Sequence, residues 1–229
     1  MHTSFGVIIL CQKDRNLLIL SILCTIVFLI FDFWQIEGTV ILSNILKYAV
    51  VWCAFGIAFP TPVCLPLFVT VICDFFLLFT AQYTLGVWLF CLVHLLYCSL
   101  LSQQPHQKKQ QMLLSSLLPF GMVWFPLYFA CFCYMACFCY HIVLAFLKKK
   151  FFSFALGRAY LLALVLFALC DILTAILQFT KSNFLVPFIW ICYAPSQLLL
   201  AFAGKKLFST SWLPVQIQLS RPQHRKGRR

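Results

Sequence analysis

The stretch MLLSSLLPFGMVWFPLYFACFCYMACFCYHIVLAFL, residues 112–147, contains no Asp, Glu, Lys or Arg. As one helix its 36 residues would reach about 54 Å, nearly twice the thickness of the hydrocarbon layer of a bilayer. Gly121 and Pro126, in GMVWFPLY, mark a turn between two spans, because proline cannot continue a helix without losing a hydrogen bond. How this stretch divides decides the number of spans in the whole chain.

The rest of the sequence repeats the same chemistry. It is 63% hydrophobic, 17% aromatic and 10% charged, with 26 Phe in 229 residues. A soluble domain could not hide that much apolar surface. The alternating pattern of a membrane barrel is missing, so the expected fold is an all-α membrane protein. Spans of roughly 20 apolar residues fall at 17–34, 40–59, 63–80, 85–102, 112–125, 127–147, 159–178 and 184–203. The opening MHTSFGVIILCQKDR has too short an apolar part for a cleaved signal peptide, leaving the first span to serve as the signal.

Charge supports eight transmembrane helices. Both termini then lie in the cytoplasm, with the segments around Lys108 and Lys109 and around Lys148, Lys149, Lys150 and Arg158. Fifteen of the 17 Lys and Arg fall on that side, with Lys181 opposite and Lys47 within or near the second span. A single long helix over 112–147 would put the KKK run outside, against the positive-inside rule. The net charge of +12 thus orients the chain, and nucleic acid is not an expected partner. The chain divides into an eight-span domain, 1–208, and a basic cytoplasmic tail, 209–229.

The 13 Cys lie almost all in apolar runs, where a thiol behaves as a small hydrophobe. The duplication ACFCYMACFCYH, 130–141, places Cys131 and Cys133 on nearly opposite helix faces. Cys133 and Cys137 share a face but lack a four-ligand set. No metal and no cofactor is expected.

Two of the five acids stand deep in spans: Asp74 in ICDFFLLF and Asp171 in LVLFALCDILTAIL. An ionisable group there costs a few kcal/mol, so it bonds a neighbouring helix or belongs to a site. The two lie at similar depth in spans of the same direction. Each is followed by a span with polar residues at helical spacing: His94 and Tyr97 after Asp74, Tyr193 and Gln197 after Asp171. A 4+4 internal repeat would bring both units to one central, lipid-binding cavity. Ala168, Thr174, Ala175 and Gln178 form the face expected to turn Asp171 inward, with Thr70 its counterpart in span 3. Asp32 and Glu37 are expected at the outer mouth of span 1. Lys47 is expected to snorkel or to sit at the cavity rim, pairing with a carboxylate being the alternative. Pro66 and Pro195 are possible breaks in their spans.

CDFFL, VHLLY, LFALCDILTA and CYAPSQLLLAF, in that order, resemble the YhhN-like family of eight-span membrane proteins, which includes the lysoplasmalogenases. Cys73 and Cys170 stand where that pattern has a small residue before each Asp. Ala194 replaces a second Tyr, and Lys47-Tyr48 lacks the proline of the span 2 motif. The resemblance implies hydrolysis of the vinyl ether bond of lysoplasmalogens to a fatty aldehyde and a glycerophospho-base. Such a reaction suits two carboxyl groups, one acid and one base, as in glycoside hydrolysis. Asp74 and Asp171 are the expected catalytic pair, with His94, Tyr97, Tyr193, Gln197 and Lys47 binding or orienting substrate. The implied partners are a lysophospholipid substrate and membrane lipids. The implied location is the endoplasmic reticulum in a eukaryote and the inner membrane in a bacterium. The rival readings are a proton-coupled carrier, a metal-dependent membrane hydrolase, and a non-catalytic lipid-binding protein of the same fold.

Overall fold

The computed structural model describes residues 11–80, 82–102, 127–148 and 154–209. The span at 112–125, the turn at Gly121–Pro126, the segment around Lys108 and Lys109, Lys149, Lys150 and the tail beyond Ser209 lie outside the described residues, as does the N-terminal MHTSFGVIIL.

The described chain is helical: α1 (Gln12–Trp34), α2 (Val40–Ala58), α3 (Cys64–Phe79), α4 (Tyr83–Leu101), α5 (Leu127–Lys148), α6 (Phe154–Thr180) and α7 (Val186–Ser209). A short 3₁₀ turn, Asn183–Leu185, leads into α7. Six of these helices are long and apolar enough to cross a membrane; α3, with 16 residues, is shorter. The protein is a multi-pass membrane protein by that architecture. Large side chains such as Ile19, Phe132, Val143, Val165 and Ile172 face outward, which suits a solvent of lipid tails.

Local chemistry sets the helix ends. Gln35 caps α1 in the left-handed region, φ 45°, and Gly38 turns the link to α2 at φ 77°. Pro66 stands in the first turn of α3, where its missing N–H leaves no intrahelical bond unmade. Pro195 lies inside α7, which continues through it; neither proline breaks its span.

Side-chain pairs give each helix a direction. Leu17 of α1 abuts Gly56 and Asp32 pairs with Lys47, so α1 and α2 are antiparallel. Leu77 meets Gly86 across the tight α3–α4 hairpin. Asp14–Lys205 and Phe33–Phe188 join the two ends of α1 to opposite ends of α7. Tyr134–Asp171 and His141–Tyr160 set α5 antiparallel to α6. Between α4 and α5 the order is different. Trp88 meets Phe129, Phe90 meets Tyr134, His94 meets Phe138 and Tyr97 meets His141. Both numbers rise together, so these consecutive described helices run in the same direction.

One end of the bundle therefore collects Lys13, Arg15, Lys148, Arg158, Lys205 and Lys206, whereas Lys181 stands at the other.

Candidate functional site

Asp74 is 4% exposed, on the face of α3 that meets α7. Its Oδ2 accepts a hydrogen bond of 2.6 Å from the hydroxyl of Tyr193. Asp171, half-buried on α6, accepts a bond of the same length, 2.6 Å, from the hydroxyl of Tyr134 on α5. Tyr193 is the eighth residue of α7, which starts at the end opposite the basic one, and so lies about 10 Å in from that start. Phe167 meets both Tyr193 and Phe138, and Phe138 stacks on Tyr134, so the two tyrosines stand at neighbouring levels. The two carboxylates share no hydrogen bond.

Aromatic rings link the two. Tyr193 lies 5.6 Å, centroid to centroid, from Phe167, which is 5.4 Å from Phe138 and 5.4 Å from His94. Phe138 in turn stacks against Tyr134 at 6.1 Å, and His94 lies tilted to it at 5.3 Å. The Cys170 thiol lies within electrostatic range of both carboxylates. The layer expected to be a cavity is thus lined closely by Phe167 and its neighbours.

Below this layer, toward the basic end, lies a buried polar chain. His94 Nδ1 is 3.1 Å from His141 Nδ1, and His141 Nε2 is 2.9 Å from the Tyr160 hydroxyl. Tyr97 stacks on His141 at 5.2 Å with only 7° between the planes. Among the described residues, His94 Nε2, the Tyr97 hydroxyl and Gln197 Nε2 have no hydrogen-bond partner.

Lys47 departs from the expectation of snorkelling. It is 4% exposed, and its ammonium lies 2.7 Å from Asp32 Oδ2. Ser43 donates to Asp32 Oδ1 at 2.6 Å. The rings of Phe28 and Trp190 flank the ammonium, at 5.8 and 5.5 Å from their centroids. A buried ammonium needs a counter-ion, and Asp32 turns inward from the mouth of α1 to supply it. The face expected to turn Asp171 inward also differs. Thr174, Ala175 and Gln178 are exposed among the described residues and Ala168 is half-buried; Tyr160, Ala163, Leu164, Phe167 and Cys170 form the buried face of α6. Thr70 is buried but bonds back to its own helix, to Pro66 O at 3.0 Å.

The structure therefore brings Asp74 to Tyr193 and His94 to Tyr97 through His141, with Lys47 near Tyr193 by way of Trp190, 5.1 Å from that tyrosine. Gln197 is buried without joining these contacts. Tyr134, His141 and Tyr160 complete the polar interior and were absent from the expected set. Tyr134, Phe138 and His141 recur at spacings of four and three, one helix face, which was the signal available. Among the described residues no three His, Cys, Asp or Glu converge as metal ligands.

No family model, curated protein or solved structure matches the chain. The chemistry open to the site rests on its own groups: two carboxylates in an apolar layer, each steadied by one hydroxyl that can donate to the ion or accept from the acid.

Proposed function

We propose that the chain is an eight-span membrane hydrolase, similar to the YhhN-like family, that cleaves the vinyl ether bond of lysoplasmalogens. The observation that carries this reading is the pair Asp74 and Asp171, held at neighbouring levels by Tyr193 and Tyr134. One carboxylic acid gives its proton to the β-carbon of the vinyl ether, leaving an oxocarbenium ion. The other carboxylate takes a proton from water as that water adds to the cationic carbon. The hemiacetal then breaks its C–O bond to give a fatty aldehyde and the free glycerol hydroxyl. A long apolar substrate suits an interior built of Phe90, Phe138 and Phe167.

The parallel course of α4 and α5 supports eight spans. Leu101 of α4 stands at the basic end and Leu127 of α5 at the other, an arrangement that an eighth span would account for. The packing of α4 on α5 has a counterpart in that of α2 on α7, as a 4+4 repeat requires. The basic end fits a cytoplasmic face.

The test is aldehyde release from a lysoplasmalogen by the purified protein in detergent, with Asp74→Asn and Asp171→Asn beside it. Loss of about a hundredfold or more in both variants, each still monodisperse, is the expected result. A folded wild type that releases no aldehyde overturns the activity. Uptake driven by a pH gradient in proteoliposomes would then assign a carrier, and its absence a non-catalytic lipid-binding protein.

A further inference from the structure

The hydrogens of the Tyr160–His141–His94 chain can be placed by counting donors and acceptors. Tyr160 is 1% exposed, His141 0% and His94 2%, so bulk solvent does not reach these groups. A neutral imidazole has one donor nitrogen and one acceptor. In one arrangement Tyr160 donates to His141 Nε2, His141 donates from Nδ1 to His94 Nδ1, and His94 carries its hydrogen on Nε2. That leaves one unmet donor, His94 Nε2–H. In the reverse arrangement His94 donates from Nδ1 and His141 from Nε2. Then the Tyr160 hydroxyl hydrogen and the His94 Nε2 lone pair are both unmet, since no other hydrogen bond reaches either atom among the described residues. An unmet buried polar group is costly, so the first arrangement prevails.

The two nitrogens of an imidazole diverge. With Nδ1 on His141, Nε2 points away from it, toward the level of Tyr134 two helical turns along α5. The ring is held there on three sides: Phe138 stacks on it at 4.6 Å, Phe167 meets it edge-on at 5.4 Å and Tyr134 lies at 5.3 Å. Tyr97 stacked on His141 fixes the plane of the next ring.

We propose that Tyr160 and His141 are positioning residues that fix His94 as an Nε2–H donor, aimed at the carboxylate layer to hold an acceptor oxygen. That oxygen belongs to the attacking water or to a glycerol hydroxyl of the substrate. The use of the donor rests on the hydrolase reading; the fixed tautomer does not. A neutral N–H donor there would orient the oxygen without adding a charge to the apolar layer.

The experiment uses the full chain in nanodiscs with ¹⁵N-labelled histidine, and with His2, His106 and His224 replaced by Gln so that two imidazoles remain. Their nitrogen resonances are assigned through the bonded carbons to the backbone. The expected spectrum shows His94 protonated on Nε2 and His141 on Nδ1. Tyr160→Phe removes only a hydroxyl; it should leave His94 divided between its two tautomers and lower aldehyde release about tenfold, the worth of a hydrogen bond. A fall in kcat alone assigns the oxygen to water, and a rise in KM alone assigns it to the substrate. His94 protonated on Nδ1, or a tautomer unmoved by Tyr160→Phe, overturns the chain. A moved tautomer with unchanged kcat and KM overturns the use of the donor. If the wild type releases no aldehyde, the hydrolase reading and the use of the donor fail together, while the spectrum still decides the tautomer.

Discussion

A tyrosine hydroxyl is a partner that a buried carboxyl keeps in either protonation state, because the oxygen accepts as readily as it donates. Tyr193→Phe takes that partner from Asp74, which is 4% exposed. It should cost about 1–3 kcal/mol, read as a lower unfolding midpoint in detergent, together with a loss of aldehyde release. Tyr134→Phe should cost less, since Asp171 is only half-buried; an equal or larger loss there would contradict the comparison. The Lys47–Asp32 pair offers a second contrast. Lys47→Met strands the Asp32 carboxylate and should cost about 3–5 kcal/mol, whereas Lys47→Met with Asp32→Leu should recover most of it. A double variant no more stable than the single would show that the ion pair is not the source. At this scale the two aspartates were legible because a carboxylate in an oily run is conspicuous whatever surrounds it. The partner of Lys47 was not, because depth along one helix does not say which carboxylate a neighbouring helix brings. Tyr134 was hidden by the ACFCY duplication. Its six-residue period turns the two copies about 120° apart on a helix, so Tyr134 points inward while Tyr140 is exposed.

Helix positions were legible, their ends less so. The reading of 40–59 became Val40–Ala58 and 63–80 became Cys64–Phe79, but 17–34 became Gln12–Trp34, 159–178 became Phe154–Thr180 and 184–203 became Val186–Ser209, because those helices run on through Lys13, Arg15, Arg158, Lys205 and Lys206 beyond the apolar runs. Helix faces were less legible. A span that is apolar all round carries little periodic signal, and α6 turned Thr174 and Gln178 outward where small and polar residues suggested a packing seam. Close approach does leave a trace in glycine. A Cβ on Gly204 of α7 would lie 2.9 Å from both Cγ atoms of Val63, a buried side chain whose β-branch leaves it little freedom to move. Gly204→Ala should therefore push α7 from the α2–α3 link and cost about 1–3 kcal/mol. The same substitution at Gly38, where nothing lies within 4 Å of the added carbon, acts only through its positive φ. A Gly204→Ala protein as stable as wild type would mean that α7 can shift there freely.

For the whole molecule, the parity of the spans is the decisive quantity. Seven described helices in simple alternation would leave the two ends of the chain on opposite sides of the membrane. The parallel α4 and α5 change that count. α1 starts, and α7 ends, at the same end of the bundle, where Asp14 of α1 binds Lys205 of α7 at 2.9 Å. That ion pair places Gln12 and Ser209, the described ends of the first and last helices, at one end of the bundle. Epitope tags at both ends should therefore behave alike in sealed membrane vesicles, both reached by added protease or both protected. A tag inserted after Lys181, at the opposite end, should show the opposite accessibility. One terminal tag exposed and the other hidden would mean an odd number of crossings. The eight-span reading that the ion pair and the parallel helices support would then fall.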